Sequence, residues 1–212
     1  VPFLAAEVPT VANGGFSADF KTITYKLRPG VKWSDGTPFT ASDVLFTYEY
    51  CTGIKGCAKT NIFAPVDKVV AVDQNTVRIT FKAAKPYPYD VFGGASTPIL
   101  QRAQFKDCLG DKAPSCSKEN FNPVGTGPFM VKEFRPNDVI QYVANPNYRD
   151  PAKPAFATMT LKGGGDAAGG RCSLVYAVDR EAGRDRRRDP AGSEAGRPAR
   201  AAGRGRGGQS AT

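Results

Sequence analysis

The chain contains no histidine, and this absence excludes more functions than any other feature of its composition. Ser-His-Asp and Cys-His catalytic arrangements need an imidazole as their general base, and histidine is also the commonest metal ligand. The acidic side chains at Asp35, Asp43, Asp73 and Asp138 stand in turns or near a helix start, where local structure accounts for them. We therefore expect that the protein is not an enzyme and that it binds no cofactor or metal.

Long apolar runs are missing as well. No hydrophobic stretch approaches the roughly 20 residues that are needed to span a bilayer. The chain also opens without the charged and then apolar segment that is typical of a secretion signal. Its 212 residues are 41% hydrophobic, which is sufficient for a folded core.

The stretch from Tyr25 to Asp43, YKLRPGVKWSDGTPFTASD, combines several local structural signals. Residues from Thr22 to Leu27 alternate between polar and apolar, which predicts a half-buried strand. Pro29-Gly30 predicts a turn, because proline presets φ and glycine tolerates positive φ. Val31 and Trp33 then place apolar side chains on one face of a second short strand.

A helix start follows in the same stretch. Thr40 is the predicted N-cap, with a hydroxyl that can accept a backbone N–H of the first turn. Asp43 stands three residues later, where an acid favours the positive end of the helix dipole. Phe39 and Val44 occupy the two positions of a hydrophobic staple. These signals predict a helix from residue 41 to about residue 50.

The remaining periodic segments alternate between strands and turns. Strands are predicted from Val66 to Val72, Val77 to Phe81, Phe129 to Phe134, Val139 to Val143 and Ala157 to Lys162, and a short helix from Ile99 to Cys108. The first two strands and the next two are each joined by turn residues and predict hairpins. Few helices among many paired strands indicate an α+β fold with a mixed, mostly antiparallel sheet.

Two loop segments permit a functional interpretation and a structural one. Gly125-Thr126-Gly127-Pro128 lacks the lysine and the spacing of a phosphate-binding loop, so we interpret it as a tight bend that leads into a strand. Tyr87 lies between Pro86 and Pro88, and Tyr89 follows Pro88, in a segment that the two prolines keep irregular. The two tyrosines are suitable for lining a ligand cleft, but packing of the loop onto the core is the favoured prediction.

Two blocks of sequence together carry a family resemblance. WSDGTPFTASDV, from Trp33 to Val44, and GTGPFMVKEFRPNDVIQYVANPNYRD, from Gly125 to Asp150, resemble the bacterial extracellular solute-binding proteins of the oligopeptide, dipeptide and nickel class. The resemblance covers about Val1 to Ala168. It implies part of the N-terminal lobe of a class II periplasmic-binding-protein-like fold.

The resemblance also implies a function and partners. Such proteins are the substrate-binding components of ABC transporters, and they deliver peptides or other small solutes to a membrane permease. A periplasmic or extracellular location, a monomer and no nucleic-acid partner are expected. Because no part of the chain resembles the second lobe, we expect a fragment with impaired binding, and no ligand-binding residue can be assigned.

Cysteine occurs in two close pairs, Cys51 with Cys57 and Cys108 with Cys116. In an exported protein such pairs indicate local disulfides. The alternative is a four-cysteine zinc site, but structural zinc sites favour two to four residues between paired ligands. The intervals here are five and seven residues, which favours disulfides. A fifth cysteine, Cys172, has no close neighbour.

The composition changes after Lys162. Residues 1–162 carry 19 basic and 14 acidic side chains, a net charge of +5, whereas residues 163–212 carry 10 and 6, a net charge of +4. The second segment has no phenylalanine or isoleucine and is rich in glycine, alanine, arginine and proline. We therefore divide the chain into a partial solute-binding lobe, 1–162, and a disordered tail, 163–212.

Two interpretations of the tail differ in function. A shift of reading frame in a GC-rich gene yields such a composition, and this explanation is favoured because the resemblance ends at the same place. The alternative is nucleic-acid binding through arginine and glycine, by contacts with phosphates.

A third hypothesis for the protein, beside solute binding and nucleic-acid binding, is that residues 1–162 form a small disulfide-stabilised interaction domain.

Overall fold

Six β-strands, three α-helices and two short 3-10 helices form the regular structure of the residues that the computed structural model describes, which are 3–53, 57, 60–93 and 97–162. The strands are β1 (Thr22–Lys26), β2 (Val66–Asp73), β3 (Thr76–Phe81), β4 (Phe129–Arg135), β5 (Val139–Ala144) and β6 (Thr158–Lys162). The α-helices are α1 (Ala41–Gly53), α2 (Arg102–Phe105) and α3 (Ser117–Phe121), and the 3-10 helices are Thr60–Phe63 and Gly110–Ser115. Among these residues, no helix has both the length and the apolar character to cross a lipid bilayer.

The first sheet has the strand order β1-β3-β2, and both outer strands run antiparallel to β3. Ile79 on the central strand stands opposite Ile23 on β1 and Val69 on β2, and all three side chains are buried. Burying a side chain of this size contributes roughly 1.5 to 3 kcal/mol. Helix α1 packs against β2 and adds Val44 to the same core.

The second sheet has the order β4-β5-β6 and is also antiparallel. Asn137 adopts a left-handed φ of 62° in the turn between β4 and β5, a conformation that asparagine tolerates better than most residues. The strand pairs of the two sheets confirm both hairpins and the last strand that the sequence predicted. The prediction of an α+β fold with mostly antiparallel pairing is confirmed as well.

Ser34 connects the two sheets. Its backbone N–H donates to the Gly125 carbonyl at 2.8 Å, and its own carbonyl accepts from the Asn147 side-chain amide at 3.1 Å. The segment after β1 is thereby attached both to the residues just before β4 and to those just after β5. These contacts place the Gly125 bend beside the first sheet.

Helix α1 begins directly after Thr40, as predicted, but the atoms that cap it are not the predicted ones. The Asp43 carboxylate reaches back and accepts the Thr40 backbone N–H at 2.9 Å. The Thr40 hydroxyl lies 2.8 Å from the Ser42 hydroxyl and 3.4 Å from the same carboxylate, instead of accepting a backbone N–H of the first turn. Phe39 and Val44, the predicted staple, are both buried.

The helix predicted from Ile99 to Cys108 is wrong for most of its length, because only the four residues of α2 are helical. The Leu100 backbone N–H donates to the Thr47 hydroxyl at 2.9 Å, and the Arg102 backbone N–H donates to the Asp43 carboxylate at 3.0 Å. These bonds to α1 hold the preceding segment extended. Helix α2 therefore begins only at Arg102.

The second short strand predicted at Val31 and Trp33 is also absent from the described structure. One isolated bridge joins Lys32 to Pro38. Gly36, at a φ of 87°, turns the chain back after only a few residues, so no ladder extends from this bridge.

Two disulfides join the same cysteine pairs that the sequence indicated, Cys51–Cys57 and Cys108–Cys116. Their Cα atoms lie 5.1 Å and 6.0 Å apart. Closing such short loops contributes about 2 kcal/mol each. Side-chain atoms of Cys108, Cys116 and Glu119 lie within 4.8 Å of one another, but sulfurs bonded to each other are not thiolate ligands.

The predicted tail, 163–212, lies outside the described residues, and so does Cys172.

Candidate functional site

A cleft of about 820 Å³ opens between the N-terminal segment, the first sheet and the bend before β4. This volume lies within the range of small-molecule sites. The lining is mostly apolar, and it consists of Phe3, Leu4, Ala5, Glu7, Val8, Pro9, Tyr25, Leu27, Trp33, Val44, Val77, Tyr89, Phe92, Gly93, Thr97, Pro98, Ile99, Gly125, Thr126, Gly127, Pro128, Tyr148 and Arg149. Several separate segments contribute, and contacts between them determine the shape of the cleft.

The N-terminal wall is attached to the edge of β1 through the backbone. Ala5 forms a bridge with Leu27, and the Ala6 N–H donates to the Lys26 carbonyl at 2.8 Å. The Arg28 N–H donates to the Leu4 carbonyl, also at 2.8 Å. This extended segment therefore continues the first sheet, and its side chains border the cleft.

A second wall is the bend Gly125–Pro128, whose position depends on a buried amide. The Asn145 side chain is 4% exposed and donates to the Gly127 carbonyl at 2.8 Å. Its backbone N–H donates to the Pro128 carbonyl at 2.9 Å. The prediction of a tight bend leading into a strand is confirmed. Sequence reasoning missed that this bend also lines the cleft.

Thr97 contributes a polar atom that is buried at the cleft. Its side chain is 5% exposed, and its hydroxyl oxygen has no hydrogen-bond partner within the described part of the chain. An unpaired buried hydroxyl costs stability. After a small rotation of the Thr97 side chain, a group bound in the cleft could form a hydrogen bond with this hydroxyl. Nothing in the local sequence distinguishes this threonine from the others.

Tyr25 is the polar residue whose titration changes most clearly in the cleft. Burial raises the pKa of its phenol, and the negative charges that Tyr89, Asp90 and Tyr87 can carry raise it further. The side chain therefore remains neutral across the physiological range. It offers a hydroxyl to a ligand without adding charge.

The raised pKa of Tyr25 predicts a loss of stability in alkaline solution. Since the unfolded chain releases this proton near the ordinary pKa of 10.0, the phenol stabilises the fold fully below that pH and less as the pH rises further. Replacing Tyr25 by phenylalanine is expected to reduce the fall in the free energy of unfolding above about pH 10. Urea unfolding between neutral pH and pH 11 measures the effect.

Tyr142→Phe is the matched control, because Tyr142 lies on β5 outside the cleft lining and is not among the groups that raise the pKa of Tyr25. It should retain the alkaline fall in stability that Tyr25 causes. An unchanged slope in the Tyr25 variant would show that its phenol ionises equally well in the folded chain.

The two tyrosines of the proline-rich loop separate in the structure. Tyr89 lines the cleft, and its hydroxyl donates to the Pro9 carbonyl at 2.7 Å, which ties the loop to the N-terminal wall. Tyr87 meets the Tyr89 ring at 5.4 Å but is exposed. The favoured prediction, packing onto the core, is therefore wrong for Tyr87 and confirmed for Tyr89, which packs against the main core and also lines the cleft.

Two charged side chains line the cleft among the described residues, Glu7 and Arg149. Glu7 faces Lys26 at 3.8 Å. Arg149 lies with its guanidinium over two aromatic rings. The site thus offers apolar walls, a few hydroxyls and one cation, which are groups suited to binding a small organic solute. The four paired cysteines do not line it.

Comparison with known proteins identifies relatives of one kind. Residues 1–169 match the family described as bacterial extracellular solute-binding proteins, family 5 Middle. Protein XP55 of Streptomyces lividans is 34% identical over 163 residues, 76% of this chain and 27% of that protein. The glutathione-binding protein GsiB of Escherichia coli O1:K1 is 28% identical over 159 residues, 74% of this chain and 28% of its own length.

A solved structure shows the same fold. The periplasmic oligopeptide-binding protein of an oligopeptide ABC transporter from Thermotoga maritima superposes with a TM-score of 0.56 at 25% identity, over 69% of this chain and 25% of that one. The prediction of a partial periplasmic-binding-protein-like fold is confirmed. The chain spans only about a quarter of the length of each of these relatives.

Proposed function

Because the chain belongs to family 5 of the bacterial extracellular solute-binding proteins, we propose that it is a solute-binding component of an ABC transporter. We propose further that the cleft receives part of a peptide or a related small solute. The observation that carries this proposal is the family match over residues 1–169, which includes every segment that lines the cleft. The names of the glutathione-binding and oligopeptide-binding relatives support peptides as the solute class.

The shape of the cleft supports weak binding by this chain alone. Phe3 and Val8 at its rim are 69% and 48% exposed, so a bound solute would keep one side in solvent. Small-molecule sites of high affinity usually bury most of their ligand. We therefore propose that the chain in its 212-residue form binds solutes with impaired affinity.

The partners and the location follow from the same family. We propose that the protein acts outside the cytoplasmic membrane as a monomer and serves a membrane permease. The two disulfides are consistent with an oxidising compartment. We retain the division into a binding lobe, 1–162, and a tail, 163–212, as part of this proposal. No comparison supports the nucleic-acid alternative, and the tail on which it depends lies outside the described residues.

Calorimetric titration of the 212-residue chain with a panel of dipeptides and tripeptides tests the proposal. We expect saturable binding with dissociation constants weaker than about 100 μM, because only one side of the solute is covered. Thr126→Trp, which adds an indole to the cleft wall, should abolish it.

Val72→Trp is the control, because it adds the same indole to an exposed position of β2 outside the cleft. Micromolar affinity in the wild-type chain would contradict the proposed impairment. Binding that persists in Thr126→Trp would place the solute elsewhere.

A further inference from the structure

The Arg149 side chain is held at the cleft by aromatic rings. Its guanidinium carbon lies 5.4 Å from the centre of the Phe3 ring and 4.9 Å from that of Tyr148. Both distances are within the range of a cation–π contact, which is stronger for arginine where water is partly excluded. Arg149 is only half-exposed. The two rings therefore restrict the position of the positive charge without neutralising it.

Within the described residues, the Arg149 side chain has hydrogen-bond donors but no acceptor for them. A guanidinium carries five N–H donors in its plane. In the described part of the chain, no oxygen accepts a bond from this side chain, and no carboxylate lies within 4.0 Å of it. Its neighbour Asp150 faces Lys153 instead, at 3.6 Å. The ring contacts therefore leave its N–H donors without an oxygen acceptor among the described residues.

The other charged side chain of the lining does not compensate Arg149. The Glu7 carboxylate lies 3.8 Å from the Lys26 ammonium and accepts from the Asn13 side-chain amide at 3.4 Å. Neither Lys26 nor Asn13 is among the residues that line the cleft. Of the two charged side chains in this mostly apolar lining, Arg149 is therefore the one without an ion-pair partner among the described residues.

We propose that Arg149 binds a carboxylate of the solute, and that the cleft selects ligands which join a carboxylate to an apolar or aromatic body. A guanidinium presents parallel N–H donors that match the two oxygens of a carboxylate. The apolar walls beside it suit the rest of such a ligand, and the C-terminal residue of a peptide has this chemistry. The inference rests on the proposed function, because it names the solute class of the same cleft.

Matched peptide pairs test this assignment. Dipeptides and tripeptides that end in leucine, phenylalanine or tyrosine are titrated as free acids and as C-terminal amides, with ligand-observed NMR to detect weak binding. The free acids are expected to bind about 10-fold tighter or more, since only they can accept two charge-assisted hydrogen bonds. Arg149→Gln should remove this preference and leave the affinity for the amides unchanged.

Two further variants separate charge from geometry and from global effects. Arg149→Lys keeps the charge but loses the paired donors, so it should retain only part of the preference. Arg78→Gln removes an exposed arginine of β3 outside the cleft and should have no effect. Thermal unfolding monitored by circular dichroism verifies that each variant is folded.

Each alternative outcome has a definite meaning. Equal binding of acids and amides by the wild-type chain would overturn the role of Arg149 and leave the proposed function intact. Binding of neither would contradict the proposed function and the inference together. An undiminished preference for acids in folded Arg149→Gln would assign the carboxylate to another residue. In Arg149→Lys it would contradict the role of the paired donors, because the charge alone would then suffice.

Discussion

Replacing Asp43 by alanine is expected to lower the free energy of unfolding by about 3 kcal/mol or more. The carboxylate is 5% exposed, and it accepts the backbone N–H groups of Thr40 at 2.9 Å and Arg102 at 3.0 Å and the Trp33 indole N–H at 3.3 Å. Alanine leaves these donors without their acceptor inside the protein. Urea unfolding followed by far-ultraviolet circular dichroism measures the loss.

Asp67 provides the control, because it is an exposed aspartate on β2. Asp67→Ala should change the free energy of unfolding by no more than about 0.5 kcal/mol. If Asp43→Ala were equally mild, the carboxylate would not be the connection between the start of α1, Trp33 and the approach to α2.

Replacing Trp33 by alanine is expected to cost about 3 to 5 kcal/mol. The indole is 2% exposed, meets the Phe39 ring edge-on at 5.6 Å and lies beneath the cleft. Its removal leaves a cavity in the core and frees the Asp43 carboxylate of one donor. Chemical denaturation of the variant against the wild-type chain measures the cost.

Trp33→Phe reduces the cavity contribution, since it keeps most of the apolar volume while it removes the indole N–H. A smaller loss of about 1 to 2 kcal/mol is expected for it. The double variant Trp33→Phe/Asp43→Ala should lose less stability than the sum of the two single variants, because both single variants break the same hydrogen bond. Strict additivity would contradict coupling between these side chains.

The hairpins and the helix start could be predicted because their signals are local. Alternation along β1 and β3 places Ile23 and Ile79 on the buried face, and period-two burial of this kind is visible in sequence alone. The staple of Phe39 and Val44 lies within six residues. Each of these features depends on neighbours in the chain rather than on distant partners.

The extent of α2 could not be predicted, because the competing acceptors are distant in sequence. Thr47 accepts the Leu100 N–H and Asp43 accepts the Arg102 N–H, across separations of 53 and 59 residues. Local propensity favours a helix over this stretch, but these long-range bonds hold the residues before α2 extended. The buried role of Asp43 was missed for the same reason, since its position in the first turn already explained its presence.

The cleft could not be predicted because its residues share no pattern. Leu4, Tyr25, Thr97, Thr126 and Arg149 come from five separated segments and meet only after both sheets have formed. The family resemblance indicated the solute class and gave no positions. A small signal was available at Arg149, where a cation next to a tyrosine occurs in one of the two family-like blocks.

The central claim is that the solute binds in this cleft, and amide-resolved NMR of the isotope-labelled 212-residue chain tests it most directly. During titration with the dipeptide and tripeptide panel, saturable shifts are predicted at Tyr25, Thr97 and Thr126, with none at Arg78. Thr126→Trp should suppress them. Saturable shifts confined to residues outside the cleft, or none at any peptide concentration, would contradict the claim.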